Sequence, residues 1–421
     1  MEASGYVRWF TDCNGASCPH LVRGVCFRQA RATPVQNRPE IPRCCLIAQG
    51  GRAAQTDWPS TCLDRRLGFI AYGTSTILSR DLDVSKHIPN HTNMSNPTSK
   101  FYICGGEFRS SVFQKLEEWE SCKRAMLVEI DPVTKTSRSC IEYESPKDAT
   151  ADELPAILFK YATARDNKLY TCTSTEIIIY DLPSFRLATY ISLPIFNDLH
   201  HVYPTSQGTL LVAITGLDIV AEVSLEGRFL RHWDVMGADT WSIHPRDTDF
   251  RKVPTTKPHR AHCNHVFQLG EEIWATRLHQ RDAISLQDPT RRIEIAIQRP
   301  HEGFLYSGSL YFTTVDGHIV MVNPQTLKIE HIHDLNKMSV TNGQPLGFCR
   351  GLLLLNERFA WVGFTRARPT KFRENVSWIR HPGRVHRHSH VSLYDLQKGA
   401  CLEDLETEPF GIGVVSNVFQ L

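Results

Sequence analysis

The chain has 421 residues, of which 41% are hydrophobic and 22% charged, the composition of an ordinary globular protein. Its 47 Lys and Arg residues are nearly balanced by 45 Asp and Glu residues, which argues against a nucleic-acid-binding protein. No apolar run reaches the ~18 residues of a membrane-spanning helix, and the first residues lack the apolar core of a signal peptide. We therefore expect a cytoplasmic protein that binds neither membranes nor nucleic acid.

Residues 1–98 are rich in Cys, Arg and Pro and show no sustained strand or helix period. The potential zinc ligands near the start match no standard pair of zinc-binding knuckles: Cys13, Cys18, His20 and Cys26. Residues 87–100 have the Asn-, Ser-, Thr- and Pro-rich composition of a linker. We expect an irregular extension over 1–98 that contributes little to stability, and a folded domain over 99–421.

From residue 101 onward the chain repeats one pattern, in which a Gly- or Asn-marked turn leads into an alternating apolar strand and two further strands. Four copies are uninterrupted, at 166–193, 207–233, 270–297 and 307–335. A fifth copy is divided by a basic insert, into 356–369 and 390–405. Repeats of this length that contain only strands and turns are typical of a β-propeller.

The two ends of the repeat region predict one mixed blade. Residues 124–145 contain two further strands, and the apolar strand in 411–421 has no partner after it. We expect 411–421 to pair with 101–108 and close the ring, because closure removes exposed sheet edges. The mixed blade and five internal copies predict an all-β, six-bladed propeller. Seven blades would need another unit in 234–260 or 366–390, and neither segment has strand periodicity.

Histidines recur where the repeated units begin. His201, His265 and His301 open three successive units, and Arg350 opens a fourth. These positions should lie near the starts of the innermost strands, where side chains converge on the channel. Three histidines from separate blades can hold a divalent metal, zinc above all, and leave a position open for substrate or water.

The choice of histidines is open at two places. His262, in the preceding loop, is an alternative ligand to His265. Strand alternation sends neighbouring side chains to opposite sides, so only one of His200 and His201 should face the channel; the unit alignment favours His201. The competing interpretation is that these histidines cap turns or bind backbone at blade junctions.

Cationic residues form a second set at unit starts and in the turns after first strands: Lys257, Arg277, Arg281, Arg299, Arg350, Arg366, Arg368 and Arg373. Arginine's planar fork suits carboxylate or phosphate groups. We expect Arg350, Arg281 and Asp316 to take part in the reaction, and five others to bind a small anionic substrate: Lys257, Arg277, Arg299, Arg366 and Arg368. Pairing with nearby carboxylates such as Asp282 and Glu302 is the competing interpretation.

About residues 100–421 resemble a group of bacterial proteins of undefined activity, broadly similar to the NHL and gluconolactonase-like six-bladed propellers. The segments that carry the resemblance are NDLHHVYPTSQGTLLVAITGLD, RKVPTTKPHRAH, LYFTTVDGHIVMVNP and PTKFRENVSW. Among such propellers, the peptidyl-hydroxyglycine lyases hold a catalytic zinc with three histidines from different blades. His201, His265 or His262, and His301 match that arrangement in kind. The calcium-dependent lactonases of this architecture use Glu, Asn and Asp at the axis, which this sequence does not repeat.

These patterns lead to the hypothesis of a metal-dependent lyase or hydrolase that acts on a small anionic substrate at the central channel. The alternative is a non-catalytic propeller that binds a protein or metabolite, with the basic insert at 364–390 as its recognition surface.

Overall fold

A computed structural model describes residues 96–109, 121–341, 344–367 and 387–421. The described residues form six antiparallel sheets of four strands each, and the protein is an all-β, six-bladed β-propeller, as the repeats predict. The predicted N-terminal extension lies, up to residue 95, outside the described residues, so its boundary stays a prediction. Among the described residues, no helix has the length and hydropathy needed to cross a bilayer.

The strands are assigned to blades A to F in chain order. Blade A contains β1 (Phe101–Phe108), β2 (Cys122–Asp131) and β3 (Thr136–Tyr143). Blade B contains β4 (Tyr161–Arg165), β5 (Lys168–Cys172), β6 (Ile177–Asp181) and β7 (Arg186–Ile191). Blade C contains β8 (Leu199–Pro204), β9 (Thr209–Ile214), β10 (Ile219–Ser224) and β11 (Phe229–Asp234).

The second half of the ring follows the same order. Blade D contains β12 (Cys263–Leu269), β13 (Glu272–Arg277), β14 (Asp282–Ser285) and β15 (Arg292–Glu294). Blade E contains β16 (Phe304–Tyr306), β17 (Ser309–Thr314), β18 (His318–Val322) and β19 (Ile329–Asp334), followed by the helix α1 (Leu335–Met338). Blade F contains β20 (Phe348–Leu354), β21 (Phe359–Thr365), β22 (His390–Asp395) and β23 (Ala400–Glu406). The last strand, β24 (Val414–Phe419), belongs to blade A.

The innermost strands contact one another around the axis. Strand β8 contacts β4 and β12, and β24 contacts β4 and β20. The hydrophobic core of the protein lies between adjacent blades. The middle strands are buried on both faces, so their sequences are largely apolar. Between blades B and C, for example, Tyr170 and Ile179 pack with Leu210 and Val212. The outermost strands are largely exposed to solvent, as in Arg186–Ile191.

The last strand closes the ring as predicted. In the antiparallel ladder between β1 and β24, Tyr102 lies opposite Phe419 and Ile103 opposite Val418. Four apolar residues of β24 are all buried: Val414, Val415, Val418 and Phe419. Val415 and Val418 also pack in one cluster with Trp361 of blade F. Blade A therefore contains both ends of the propeller chain, and its last strand packs against blade F.

Candidate functional site

The inner strands all begin on one face of the propeller, because the six sheets repeat the same strand order. We call this the upper face. Histidines from blades C, D and E meet there. The ring centroids of His200 and His262 are 5.0 Å apart, and those of His200 and His301 are 6.3 Å apart.

A β-bulge in β8 brings two neighbouring histidines into the interior. In the ladder with β9, Leu199 lies opposite Ile214 and His201 lies opposite Ala213, so His200 is an extra residue. An extra residue interrupts the strict alternation of side chains. His200 and His201 are both buried, at 4% and 2% exposure, and each contacts histidines of other blades. The strand alternation behind the prediction that only one of them faces the channel is therefore interrupted at this point.

Similar irregularities recur in other inner strands. Asn264 is the extra residue in β12, and Ser416 is the extra residue in β24. In β20, Arg350 and Gly351 together face a single residue of β21. Bulges re-aim side chains and are common beside functional sites. Here they bring polar residues to the inner strands of several blades.

Asp198, His259 and His262 form the candidate metal centre. Their donor atoms all lie within 4.8 Å of one another. The Nδ1 atoms of His259 and His262 are 2.9 Å apart, and two nitrogens bound to one tetrahedral zinc are separated by about 3.3 Å. A shift of a few tenths of an ångström would therefore let both nitrogens bind one ion. Two imidazoles and one carboxylate are a donor set that catalytic zinc takes, with a further position open.

Thr256 sets the tautomer of His259. The Thr256 hydroxyl donates to the carbonyl of Gly216 at 2.6 Å and lies 3.2 Å from His259 Nε2. Because a hydroxyl has a single hydrogen, its oxygen accepts from the Nε2–H of His259. The lone pair of His259 is thus on Nδ1, on the side of His262. A neighbour that fixes the outer nitrogen of a histidine in this way is typical of metal ligands.

The charges at the cluster favour metal-binding protonation states. Lys160 Nζ lies 2.8 Å from Asp198 Oδ1. Burial acts to raise the pKa of Asp198, but the charges of Lys160 and nearby histidines outweigh burial and hold this pKa well below its ordinary value. Burial, assisted by His200 and His259, holds the pKa of His262 well below its ordinary value. A charged carboxylate and a neutral imidazole are the forms that bind metal.

Asp218 fixes the loop that carries both histidine ligands. One carboxylate oxygen accepts from the backbone N–H of Arg260 at 2.5 Å, and the other accepts from that of His262 at 2.8 Å. His262 has a φ of 53°, in the left-handed region that few residues other than glycine adopt. The carboxylate clamp therefore holds His262 in an uncommon backbone conformation and fixes the direction of its ring.

His201 and His265 form a separate pair. Their rings stack with centroids 3.6 Å apart, and Tyr161 packs edge-on against both rings, at 4.6 and 4.8 Å. The Nδ1 of His201 accepts a hydrogen bond from the backbone N–H of Val266 at 3.3 Å. Burial lowers the pKa of His201 to about 3. His201 thus has a packing role. Of the two alternatives considered for blade D, His262 is the residue that lies in the cluster with Asp198.

His301 is buried at 3% exposure beside a fully buried carboxylate. Its Nδ1 lies 3.6 Å from Glu302 Oε1, and neither ring nitrogen has a hydrogen-bond partner among the described residues. Glu302 accepts from the backbone N–H of Gly351 and from the hydroxyl of Thr313. Buried polar atoms without partners are rare in folded proteins and often indicate an unseen ligand or water.

Among the predicted cations, Lys257 and Arg350 are close enough to influence the clustered histidines. Burial is the main cause of the lowered pKa values of His200, His262 and His301. The charge of Arg350 further lowers the pKa values of His200 and His301, and that of Lys257 lowers the pKa of His262. These two predicted residues therefore belong to the site's surroundings.

The structure uses two other predicted cations in internal contacts. Arg277 is buried and binds both oxygens of Asp282, at 2.9 and 2.7 Å. Arg366 pairs with Glu408 at 3.4 Å and lies over the ring of Phe108. These contacts fit the competing interpretation of local pairing. The Arg277–Asp282 pair was one of the alternatives that the sequence offered.

The remaining predicted residues lie elsewhere. Arg281 is exposed in the turn between β13 and β14, and Arg299 is half-buried before β16. Asp316 accepts from Thr314 at 2.6 Å and lies 2.9 Å from His318 Nδ1 in the turn between β17 and β18. Arg368, and most of the basic insert at 364–390, lie outside the described residues.

Two clefts flank the candidate metal centre. A cleft of about 70 Å³ is lined by Asp198, Lys160 and Lys257. A second cleft of about 220 Å³ is lined by His259 and Arg260. The cluster thus has a small cationic cleft on one side and a larger cleft on the other.

Sequence reasoning missed Lys160, Asp198 and His259, and it preferred His201 to the neighbouring His200. Asp198 and His259 both lie in histidine-containing segments noted in the sequence, NDLHH and KPHRAHCNH. A search for carboxylates within two residues of such histidines would have found Asp198. Lys160 precedes β4, whose sequence YATAR lacks a clear apolar alternation, so no unit start was recognised there.

A second group of potential ligands lies on the outer edge of blade C and fits a metal less well. His232, Asp234 and Asp239 offer donor atoms within 4.8 Å of one another. However, Asp234 accepts from the backbone N–H of Thr240 at 2.7 Å, and Asp239 accepts from that of Trp241 at 3.1 Å. These carboxylates therefore already stabilise the turn after β11.

Comparisons with known proteins give neither a family nor an activity. No protein-family model matches the chain, and no curated protein matches it. A protein of unknown function from Bacteroides caccae is similar at 14% identity and a TM-score of 0.49, over 76% of this chain and 98% of that one. The β-propeller domain of Cps50 (Swd1) from Myceliophteria thermophila is similar at 11% identity and a TM-score of 0.41, over 72% and 89%. The chain is thus defined by its own sheets as a six-bladed propeller with a histidine- and aspartate-lined upper face.

Proposed function

We propose that the protein is a metal-dependent lyase or hydrolase that acts on a small anionic substrate at the upper face of the propeller. Asp198, His259 and His262 would hold the metal, with zinc the best match to two nitrogens and one carboxylate oxygen. The observation that carries the proposal is the approach of these three donor groups to within 4.8 Å. The proposal differs from the prediction in its ligands, since only His262 is common to both sets.

The residues around the cluster have separate tasks in this proposal. Lys160 holds Asp198 ionised at 2.8 Å, and Asp218 fixes the loop of His262 through the backbone. Lys257 and Arg350 supply positive charge that attracts an anion. A bound zinc would polarise a substrate oxygen or lower the pKa of a bound water.

His200, the neutral histidine next to the cluster, would interact with the substrate or a bound water through its free lone pair. His200 donates from Nδ1 to the backbone carbonyl of Asp198 at 2.9 Å, so its Nε2 carries the lone pair. Its ring is 5.0 Å from that of His262. Burial and the nearby cations keep the pKa of His200 low, so its neutral ring is placed to accept a hydrogen bond from a substrate or a bound water beside the metal ligands.

Metal analysis of full-length protein purified without a histidine tag tests the proposal. We expect about one zinc per chain, lost in His262→Ala and in His259→Ala and retained in His331→Ala, which changes an exposed histidine of β19. Circular dichroism would verify that each variant folds. Less than about a tenth of an equivalent in the folded protein, with no uptake of added zinc, would contradict the proposal. That result would leave the non-catalytic binding platform as the better interpretation.

The resemblance to the NHL and gluconolactonase-like propellers and the cytoplasmic location stay proposals alongside this one.

A further inference from the structure

His301 has an unusual environment for a histidine that serves only packing. It is 3% exposed, and neither of its ring nitrogens has a hydrogen-bond partner among the described residues. Its Nδ1 is 3.6 Å from Glu302 Oε1, a carboxylate that can only accept hydrogen bonds when ionised. The Nδ1–H tautomer therefore suits this side, and it leaves a lone pair on Nε2. A buried acceptor of this kind costs stability unless something donates to it.

Two positive charges lie close to the same place. Lys160 Nζ and His200 Nδ1 lie 2.8 and 3.7 Å from the same oxygen of Asp198, and the ring of His200 lies 6.3 Å from that of His301. Arg350 precedes Gly351, whose backbone N–H donates to Glu302 beside His301. Burial is the main cause of the lowered pKa of His301, and the charges of Arg350 and Lys160 lower this pKa further. The side chain of Lys160 is 11% exposed and uses one contact on Asp198, while an ammonium group has three hydrogens to donate.

The four side chains together offer both kinds of hydrogen-bonding group. Lys160 and Arg350 donate only, and they favour negative charge. His200 and His301 each offer an Nε2 lone pair, which requires a donor. These four side chains include no carboxylate that would bind a metal cation, and a fully deprotonated oxyanion would offer nothing to the lone pairs. The ligand that satisfies both needs is an oxyanion that still carries a hydroxyl group.

We propose that Lys160, His200, His301 and Arg350 form a subsite for a hydrogen phosphate group, either the free ion or a small phosphate ester. The subsite adjoins the candidate metal centre, because Lys160 contacts Asp198 and the ring of His200 lies 5.0 Å from that of His262. The assignment deepens the proposed function by naming the anion of the substrate, and in that respect it rests on that function.

Equilibrium titration of the full-length protein with inorganic phosphate and with sulfate tests the subsite directly. At about pH 6 hydrogen phosphate carries a hydroxyl and about half of a phosphate ester is protonated, whereas sulfate has no proton to donate. We expect phosphate to bind at least about tenfold more tightly than sulfate. Equal affinities, or no binding of either ion, would overturn the subsite without any variant being needed.

Variants distinguish phosphate bound at this subsite from phosphate bound directly to the metal. His301→Ala should weaken phosphate binding at least about tenfold while zinc content stays unchanged, and His331→Ala should change neither. If His301→Ala keeps the phosphate affinity, the anion lies elsewhere, and the assignment is wrong. Absence of zinc from the unaltered protein would instead count against the proposed function.

A third arm distinguishes the two sources of phosphate. Phenyl phosphate that displaces inorganic phosphate would assign the subsite to a phosphate ester. Failure to displace it would assign the subsite to the free ion and exclude an ester substrate.

Discussion

The carboxylate of Glu302 accepts a hydrogen bond from the backbone N–H of Gly351 at 2.5 Å and so joins blades E and F. The same carboxylate accepts from the hydroxyl of Thr313 and has no exposure to solvent. It thus ties the start of β20 to the residues before β16. Its removal would leave buried donors without an acceptor.

Glu302→Gln should lower the free energy of unfolding by about 1–3 kcal/mol. The amide keeps the size of the side chain but replaces one accepting oxygen with a donor and removes the charge. Urea unfolding would measure the change. Glu330→Gln, on the exposed face of β19, is the control and should cost less than about 0.5 kcal/mol. Equal losses in the two variants would show that Glu302 does not link the blades.

Arg277→Met should destabilise the protein by about 1–3 kcal/mol, because it removes two hydrogen bonds to the buried carboxylate of Asp282 and leaves it only the pair with Arg292 at 3.2 Å. Arg277 Nη2 lies 2.7 Å from Asp282 Oδ2, and that side chain has no exposure. Arg186→Met is the matched control, since Arg186 is 80% exposed where it pairs with Asp181, and should cost less than about 1 kcal/mol. A loss in Arg277→Met no larger than the control's would contradict the structural role assigned to this arginine.

The stabilising effect of His318 should depend on pH. His318 Nδ1 lies 2.9 Å from Asp316 and its Nε2 lies 3.6 Å from Asp334. Burial opposes the charged ring, and Lys337 does so weakly, but Asp316 and Asp334 outweigh both and raise the pKa of His318. A raised pKa in the folded state stabilises the fold below the unfolded pKa of about 6.5. The stabilisation is lost as the pH rises through the folded pKa.

The difference in melting temperature between the unaltered protein and His318→Asn should therefore be largest near pH 6. This difference should shrink towards zero at higher pH. Melting curves from about pH 5.5 to about pH 9 would follow it, a range in which both aspartates stay ionised. His331→Asn is the control. A gap that stays constant across this range would mean that His318 is not charged in the folded protein.

Gly105→Ala should prevent normal closure of the ring. A Cβ at this position would lie 1.7 Å from the carbonyl oxygen of Val414, so β24 could not pair there without moving. We expect a loss above the ~1 kcal/mol of a typical point mutation, seen as a lower melting temperature and added aggregation. Deletion of 411–421 should have a similar effect. In Gly208→Ala the new Cβ meets no atom within 4 Å, so that control should show only the modest cost of a φ of 75°.

The number of blades could be predicted because the middle strands of each unit carry clear patterns. Strands such as Ile177–Asp181 and Thr209–Ile214 are apolar runs or alternations bounded by turns, which period and turn residues reveal. The inner strands give weaker signals. Phe304–Tyr306 has only three residues, and Tyr161–Arg165 is half-polar. The sequence therefore does not show at which residue these inner strands begin.

The details of the site could not be predicted because a bulge leaves no mark in the sequence. One extra residue at His200 reverses the alternation that normally assigns side chains to faces. The sequence therefore indicated the histidine-containing segments of blades C and D, but not the candidate ligand set that the structure brings together. Asp198 and His259 lie in loops, where no period applies and where only the folded chain shows which groups meet.

The pairing of β1 with β24 also determines how the ring would respond to a pulling force. Tyr102 lies opposite Phe419, and Gln420 donates to the backbone carbonyl of Lys100 at 3.1 Å, so the two ends of the propeller lie at the same end of one antiparallel ladder. The hydrogen bonds of such a ladder run across the strands. Tension applied between residues 100 and 420 would load them one after another, as in a zipper, rather than all together in shear. Pulling on these two ends would therefore open the closing ladder one hydrogen bond at a time.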